Sequence, residues 1–187
     1  TGRIRIRGTL PGTGRFDIHH PYPLAMEFTS HVVGGHLTDY ATTHGALVAG
    51  AYVLSEDHID ISGAPQHNGG EGAPGEIWTF SSEGPTRDGR PYGVDVCTPG
   101  HGSFAAYASY SWWNEATWNV IQDGAGWYGR HGATSASGPI LVGGVALMLD
   151  LDNTLTAEEA REILRSTARS DAFTGPTPNV EWGFGKL

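Results

Sequence analysis

The stretch "HGATSASGPILVGGVALML", residues 131–149, decides how the rest of the chain is read. A polar pair, Thr134-Ser135, stands among small residues directly ahead of an unbroken apolar run, with Pro139 placed where a first helical turn would tolerate it. A plain buried helix has no need of that pair. A serine nucleophile does: its hydroxyl is weak at neutral pH, needs a base, and gains from the free N–H groups and dipole of a helix start. Ala133, Ala136 and Gly138 are small enough to let a substrate approach. The bland alternative for Ser135 is a helix-capping hydroxyl. The pattern predicts a buried helix running to about Leu149 with Ser135 at its N-terminus.

Working outward, the chain has 187 residues, 39% hydrophobic and 17% charged, which suits one globular domain with a real core. The net charge of -9 argues against nucleic-acid binding, which needs clustered Lys and Arg. No apolar run reads as long enough to span a bilayer. Cys97 is the single cysteine, so no internal disulfide can form. The chain opens at "GRIRIRG" without an initiator Met or signal peptide and stops at "WGFGKL"; both ends are expected to be cut from something longer.

Strand signals dominate the first two thirds. "RIRIRGTLPGTGRFDIHH" alternates on both sides of "LPGTG" and predicts a β-hairpin, with "AMEFTSHVV" a further strand. "ALVAGAYVL" (46–54) reads as a strand buried on both faces, and "HNGGEGAPG" (67–75) as a turn or loop. "EIWTF" predicts a short strand, and "FAAYASYSWW" and "TWNVIQD" alternate and suggest strands paired with each other. "TAEEAREILRSTA" predicts a second helix, with Thr156 and Glu159 as a capping box.

"TSASGPILVGG" resembles the active-site serine motif of the subtilases, the subtilisin-like serine peptidases. Thr134, Ser135, Ser137, Pro139 and Gly143 match the motif; Ala133 replaces the family's Gly, where a methyl group would crowd substrate or strain the turn. Three further stretches agree in the family's order. "FSSEGPTRDGRPYGVDVCTPG" (80–100) is similar to the segment that ends in Asp-Val-x-Ala-Pro-Gly, with Thr98 in place of Ala. "LTDYATTHGALVAGAY" (37–52) is similar to the family's buried Val-Gly-Ala strand, and "LTAEEAREILRSTA" with "WGFGKL" to its last helix and strand. The resemblance covers residues 37–187 and implies the C-terminal part of a three-layer α/β/α catalytic domain with a mostly parallel central sheet. Residues 1–36 match less well and are expected to be a strand-rich insertion.

The same resemblance implies a serine endopeptidase that hydrolyses peptide bonds through an acyl-enzyme, with Ser135 as nucleophile. The family's Asp, His and oxyanion Asn all precede the matched segments. They are therefore expected in an N-terminal part of the domain upstream of this chain, and the isolated chain is expected to be inactive. Peptides or proteins are the implied substrates, secretion the implied location, and no cofactor is required. Calcium is common in the family, but no stretch has metal-ligand spacing. The alternatives are an inactive subtilase-like module that holds a ligand on Trp-rich strands, or a Trp-rich β module unrelated to peptidases.

Several residues imitate a site. "HGALVAG" (44–50) looks like the family's catalytic histidine motif, but too few residues separate His44 from Phe80 for the intervening elements, so His44 is read as preceding the buried strand. His131 is close in sequence to Ser135 but has no evident carboxylate to orient it. Asn68 mimics the oxyanion Asn yet follows the buried strand and reads as a turn residue. Thr38 falls near the family's specificity pocket, or is an ordinary loop threonine. Cys97 reads as a small buried hydrophobe. Trp112, Trp113, Trp118 and Trp127 read as core or sheet surface, with a ligand platform the alternative.

Overall fold

The structure, a computed structural model, describes Leu37 and residues 40–86, 88–108 and 110–187. The chain divides into two units, Thr1–Val33 and Gly34–Leu187, and the described residues all belong to the second. The hairpin and strand expected before residue 36, and the insertion they would form, lie outside the described residues.

In chain order the described elements are β1 (Ala49–Val53), β2 (Asp57–Ile59), β3 (Pro65–His67), β4 (Val96–His101), β5 (Ser103–Ala106), β6 (Val120–Asp123), β7 (Gly126–His131), α1 (Thr134–Leu151) and α2 (Ala157–Thr167). The mixture is α/β. β1 and β4 pair in parallel, Ala49 opposite Val96 and Ala51 opposite Thr98. β2 and β3 form an antiparallel hairpin, and β5, β7 and β6 an antiparallel sheet with β7 in the middle. Among the described residues, one strand pair is parallel.

Small side chains let the centre close. A Cβ on Gly100 would stand 2.5 Å from Ala51 Cβ and 3.0 Å from the Ala133 carbonyl, so only glycine lets β4 approach β1 and the turn before α1 together. One face of the β1–β4 pair carries Val96 against Leu141 of α1 and Leu164 of α2. The other carries Cys97 and Val94 against Leu37 and Trp182. This alternation is what a strand buried on both faces produces. Asp95, 4% exposed, pins α2 across the pair: its Oδ1 accepts from Arg165 at 2.6 and 3.0 Å and its Oδ2 from the Val48 amide at 2.7 Å.

The second helix follows expectation. The Thr156 amide donates to Glu159 Oε2 at 2.8 Å and the Glu159 amide to Thr156 Oγ1 at 3.3 Å, closing the capping box. The first helix differs in two ways. It starts at Thr134, so Pro139 lies inside it and cannot donate to the Ser135 carbonyl one turn earlier. It is also not buried: Ser137 and Leu141 are, but Val142 is 67% and Leu147 70% exposed. Its 18 residues have mean hydropathy 1.4, enough by length and composition to cross a membrane, which corrects the reading that no apolar run is that long. The helix lies against β1 and β4, one side bonded to them and the other uncovered within the described unit.

Three strand expectations fail for local reasons. "EIWTF" makes only an isolated antiparallel bridge, Tyr52 to Ile77, because Gly75 and Glu76 turn the chain around Val53. The Trp-rich stretch coils into 3-10 turns at Trp112–Glu115 and Thr117–Asn119, the first capped by Ser111. β5 and β6 do not pair with each other; "GWYGRH" inserts between them as β7.

Candidate active site

Ser135 occupies the first turn of α1 and is exposed. Its neighbour two residues on behaves oppositely. Ser137 is fully buried; its hydroxyl donates to the Gly50 carbonyl and stands 2.7 Å from Thr98 Oγ1, while Thr98 Oγ1 also lies 2.8 Å from the Ser137 carbonyl. These bonds fasten the helix start to β1 and β4. Among the described residues, no side-chain partner holds the Ser135 hydroxyl, so a rigid helix start presents a free hydroxyl beside unpaired helix N–H groups.

Ala133 caps the helix without a side-chain bond, at φ 68° and ψ 179°. That region is essentially confined to glycine, and Ala133 is the one non-glycine residue at positive φ among those described. The turn therefore has the shape that a Gly at this position would adopt freely, held here with a methyl group in place.

No described histidine bonds to Ser135. His44 lies in a turn ahead of β1, 82% exposed at its side chain, with Nε2 3.2 Å from Asp88 Oδ2. Its carbonyl accepts from Arg161 of α2 ahead of β1, whereas the turn before Ser135 follows β7 and lies by Gly100 near the end of β4. His131 ends β7 with its ring edge-on to Trp113, 5.3 Å between centroids, and has no carboxylate partner among the described residues. Asn68 follows β3 and offers its carbonyl, not its amide, to His101. Thr38 lies outside the described residues. Cys97 is fully buried and burial pushes its thiol up to about 12, so it is inert packing.

The structure adds a group that spacing did not reveal. His101, at the end of β4, is 8% exposed at its side chain and has Nδ1 3.0 Å from Glu71 Oε2. Its Nε2 is 3.1 Å from Arg130 and 3.3 Å from the Asn68 carbonyl. The Trp78 indole N–H donates to the same Glu71 oxygen at 2.5 Å and its ring lies parallel to the imidazole. Burial lowers the Arg130 pKa and the Glu71 charge partly restores it. This is a carboxylate-oriented imidazole, but its second nitrogen is occupied by Arg130 rather than Ser135. The sole sequence signal was the position of His101 directly after "DVCTPG".

On the other face of β7, Trp113 packs over Gly129 and stacks with Trp112 at 4.2 Å; Trp112 is 65% and Trp118 53% exposed. Among the described residues no cluster of three or more His, Cys, Asp or Glu could hold a metal ion, so no calcium site is located.

The fold and site define an α/β domain that offers a serine hydroxyl at the start of a helix laid across a parallel strand pair. The model of the subtilase family matches residues 37–185. The chain belongs to the subtilase family, the subtilisin-like serine peptidases, and this removes the reading as a Trp-rich β domain unrelated to peptidases. No curated protein matches the chain.

Proposed function

We propose that residues 37–187 are the C-terminal, serine-bearing part of a subtilisin-like catalytic domain with three-layer α/β/α architecture and a mostly parallel central sheet, and that Ser135 is the nucleophile of a serine endopeptidase. Residues 1–36 are an insertion in that domain. One observation carries the reading: of two serines in one helical turn, Ser137 is locked into the core and Ser135 is exposed without a side-chain partner among the described residues.

The Ser135 oxygen adds to the scissile carbonyl carbon as its proton passes to a histidine imidazole. Collapse of the tetrahedral adduct expels the amine, which takes that proton. Water then adds to the acyl-enzyme, and the serine is restored. The helix dipole and the first N–H groups of α1 favour the developing oxyanion. His, Asp and the oxyanion Asn come from the upstream part of the catalytic domain. Its support is the uncovered apolar side of α1, together with a groove of about 540 Å³ lined by Leu47, Pro139, Leu141 and Val145. That part is the partner this chain requires, peptides are its substrates, and the peptidase is secreted. The chemistry needs no cofactor.

The test is labelling with a fluorophosphonate and peptide hydrolysis by the full-length protein. The reading expects the label on Ser135 and loss of both signals in Ser135→Ala, with the isolated chain inactive. A second reading, a subtilase-like module that binds without cleaving, draws support from the exposed Trp112 and Trp118 and the strained Ala133 turn. It expects no label on Ser135.

A further inference from the structure

We infer that His101, as a neutral imidazole protonated at Nδ1, is a positioning residue that holds the turn carrying Ser135; its catalytic meaning rests on the proposed role of Ser135. The hydrogen-bond network assigns the tautomer. Glu71 is an acceptor, so Nδ1, at 3.0 Å from it, carries the proton. Arg130 is only a donor, so Nε2, at 3.1 Å from its guanidinium, must accept. Nε2 then has no proton for the Asn68 carbonyl at 3.3 Å.

The ring lies beneath the turn. A Cβ built on Gly132 would sit 3.4 Å from His101 Nδ1, so the backbone one residue before Ala133 passes beside the imidazole with room for no more than a methyl group between them. Arg130, two residues before Gly132 on β7, bonds the ring and also donates to the Ser55 carbonyl at 3.2 Å. His101 thus braces the strand that leads into the turn, with Gly132 of the turn beside its ring. The brace counters a local cost, because the next residue is Ala133 in its glycine-type conformation.

Glu71 and Arg130 are the ionisable groups that contact the ring among the described residues; Trp78 and Asn68 complete its surroundings.

The test uses the 187-residue chain. Nitrogen-15 NMR of the His101 ring is expected to show the Nδ1–H tautomer. Amide hydrogen exchange then follows Ala136 and Ser137, whose N–H groups donate to the Ala133 carbonyl at 3.1 and 3.4 Å. His101→Leu is expected to speed their exchange about tenfold or more, as the loss of a charge-assisted hydrogen bond should. The α2 amides should be unchanged. His101→Gln, which keeps a donor and an acceptor, is expected to restore much of the protection. An Nε2–H tautomer, or equal exchange in the wild type and His101→Leu, overturns the proposal. If His101→Leu fails to fold, the wild-type tautomer and the exchange of His101→Gln decide. Neither depends on catalysis, so failure of the nucleophile assignment would show separately, in the Ser135 labelling.

Discussion

Replacing Ala133 by glycine should stabilise this chain, which reverses the usual sign for Ala→Gly. At φ 68° and ψ 179° a residue with a Cβ sits in a region essentially reserved for glycine. Residues held in such sparsely populated regions cost about 1–3 kcal/mol. Glycine removes that cost and adds back about 0.4–1 kcal/mol of unfolded-chain entropy. The balance is a gain of roughly 1 kcal/mol, or about 2–4 °C in melting temperature for a chain of this size. The assay is urea unfolding of the wild type and Ala133→Gly, read at constant slope so that a shifted midpoint reports stability. Ala136→Gly, three residues on and inside the helix, is the control and should lose up to about 1 kcal/mol. If Ala133→Gly loses stability by a similar amount, the turn is not strained and the reasoning fails.

The paired serines give a second contrast. Ser137→Ala should cost about 1–3 kcal/mol, since it strips a buried hydroxyl from the Gly50 carbonyl and Thr98, whereas Ser135→Ala should stay within about 0.5 kcal/mol; equal denaturation midpoints would contradict the assigned roles. Asp60 is held down at about 2, chiefly by the Ser62 hydroxyl, with help from Ala64 and Gln66. Its folded pKa is depressed, so its contribution is present above the unfolded value of about 4 and is lost as pH falls toward 2. Asp60→Asn should flatten that part of the acid-stability curve, and an unchanged curve would count against the network. Cys97, fully buried with its thiol raised to about 12, should resist a thiol reagent at neutral pH until the protein unfolds; fast labelling of the native chain would show otherwise.

What was legible in the sequence follows a physical division. Local rules are carried by a few adjacent residues, and these read correctly. The Thr156–Glu159 capping box, the small-apolar strand at Ala49–Val53 and the polar pair at the start of α1 each needed only their own neighbours. Strand pairing did not read, because it is decided by partners remote in sequence. β5 and β6 alternate convincingly, yet each binds β7, whose two glycines weaken the strand signal of its aromatic residues. The Trp-rich segment looked like a strand because its rings are β-formers, but Ser111 caps a 3-10 turn that stacks Trp112 on Trp113.

The site divides along the same line, and the division bears on how it works. The placement of Ser135 could be read because a serine among small residues at a helix start has a local signature. His101 could not, because its role arises from Glu71 on a loop, Arg130 on β7 and Gly132 in the turn, each brought to it by the fold. Ala133 lies between the two cases. The sequence shows a methyl where glycine is expected, and the structure shows that the backbone keeps the glycine conformation. A turn that retains that shape against its own residue must be held from outside. The bonds of Ser137 to β1 and β4 hold it on the helix side, and the bond of His101 to Arg130, with Gly132 beside the ring, holds it on the strand side. Loosening either support should let Ala133 relax toward negative φ and turn the Ser135 hydroxyl out of register with any base brought to it. The double variant Ala133→Gly with His101→Leu should therefore lose more stability than the sum of the single effects, because relief of the Ala133 strain offsets part of the loss in the single His101→Leu variant and glycine leaves no strain to relieve.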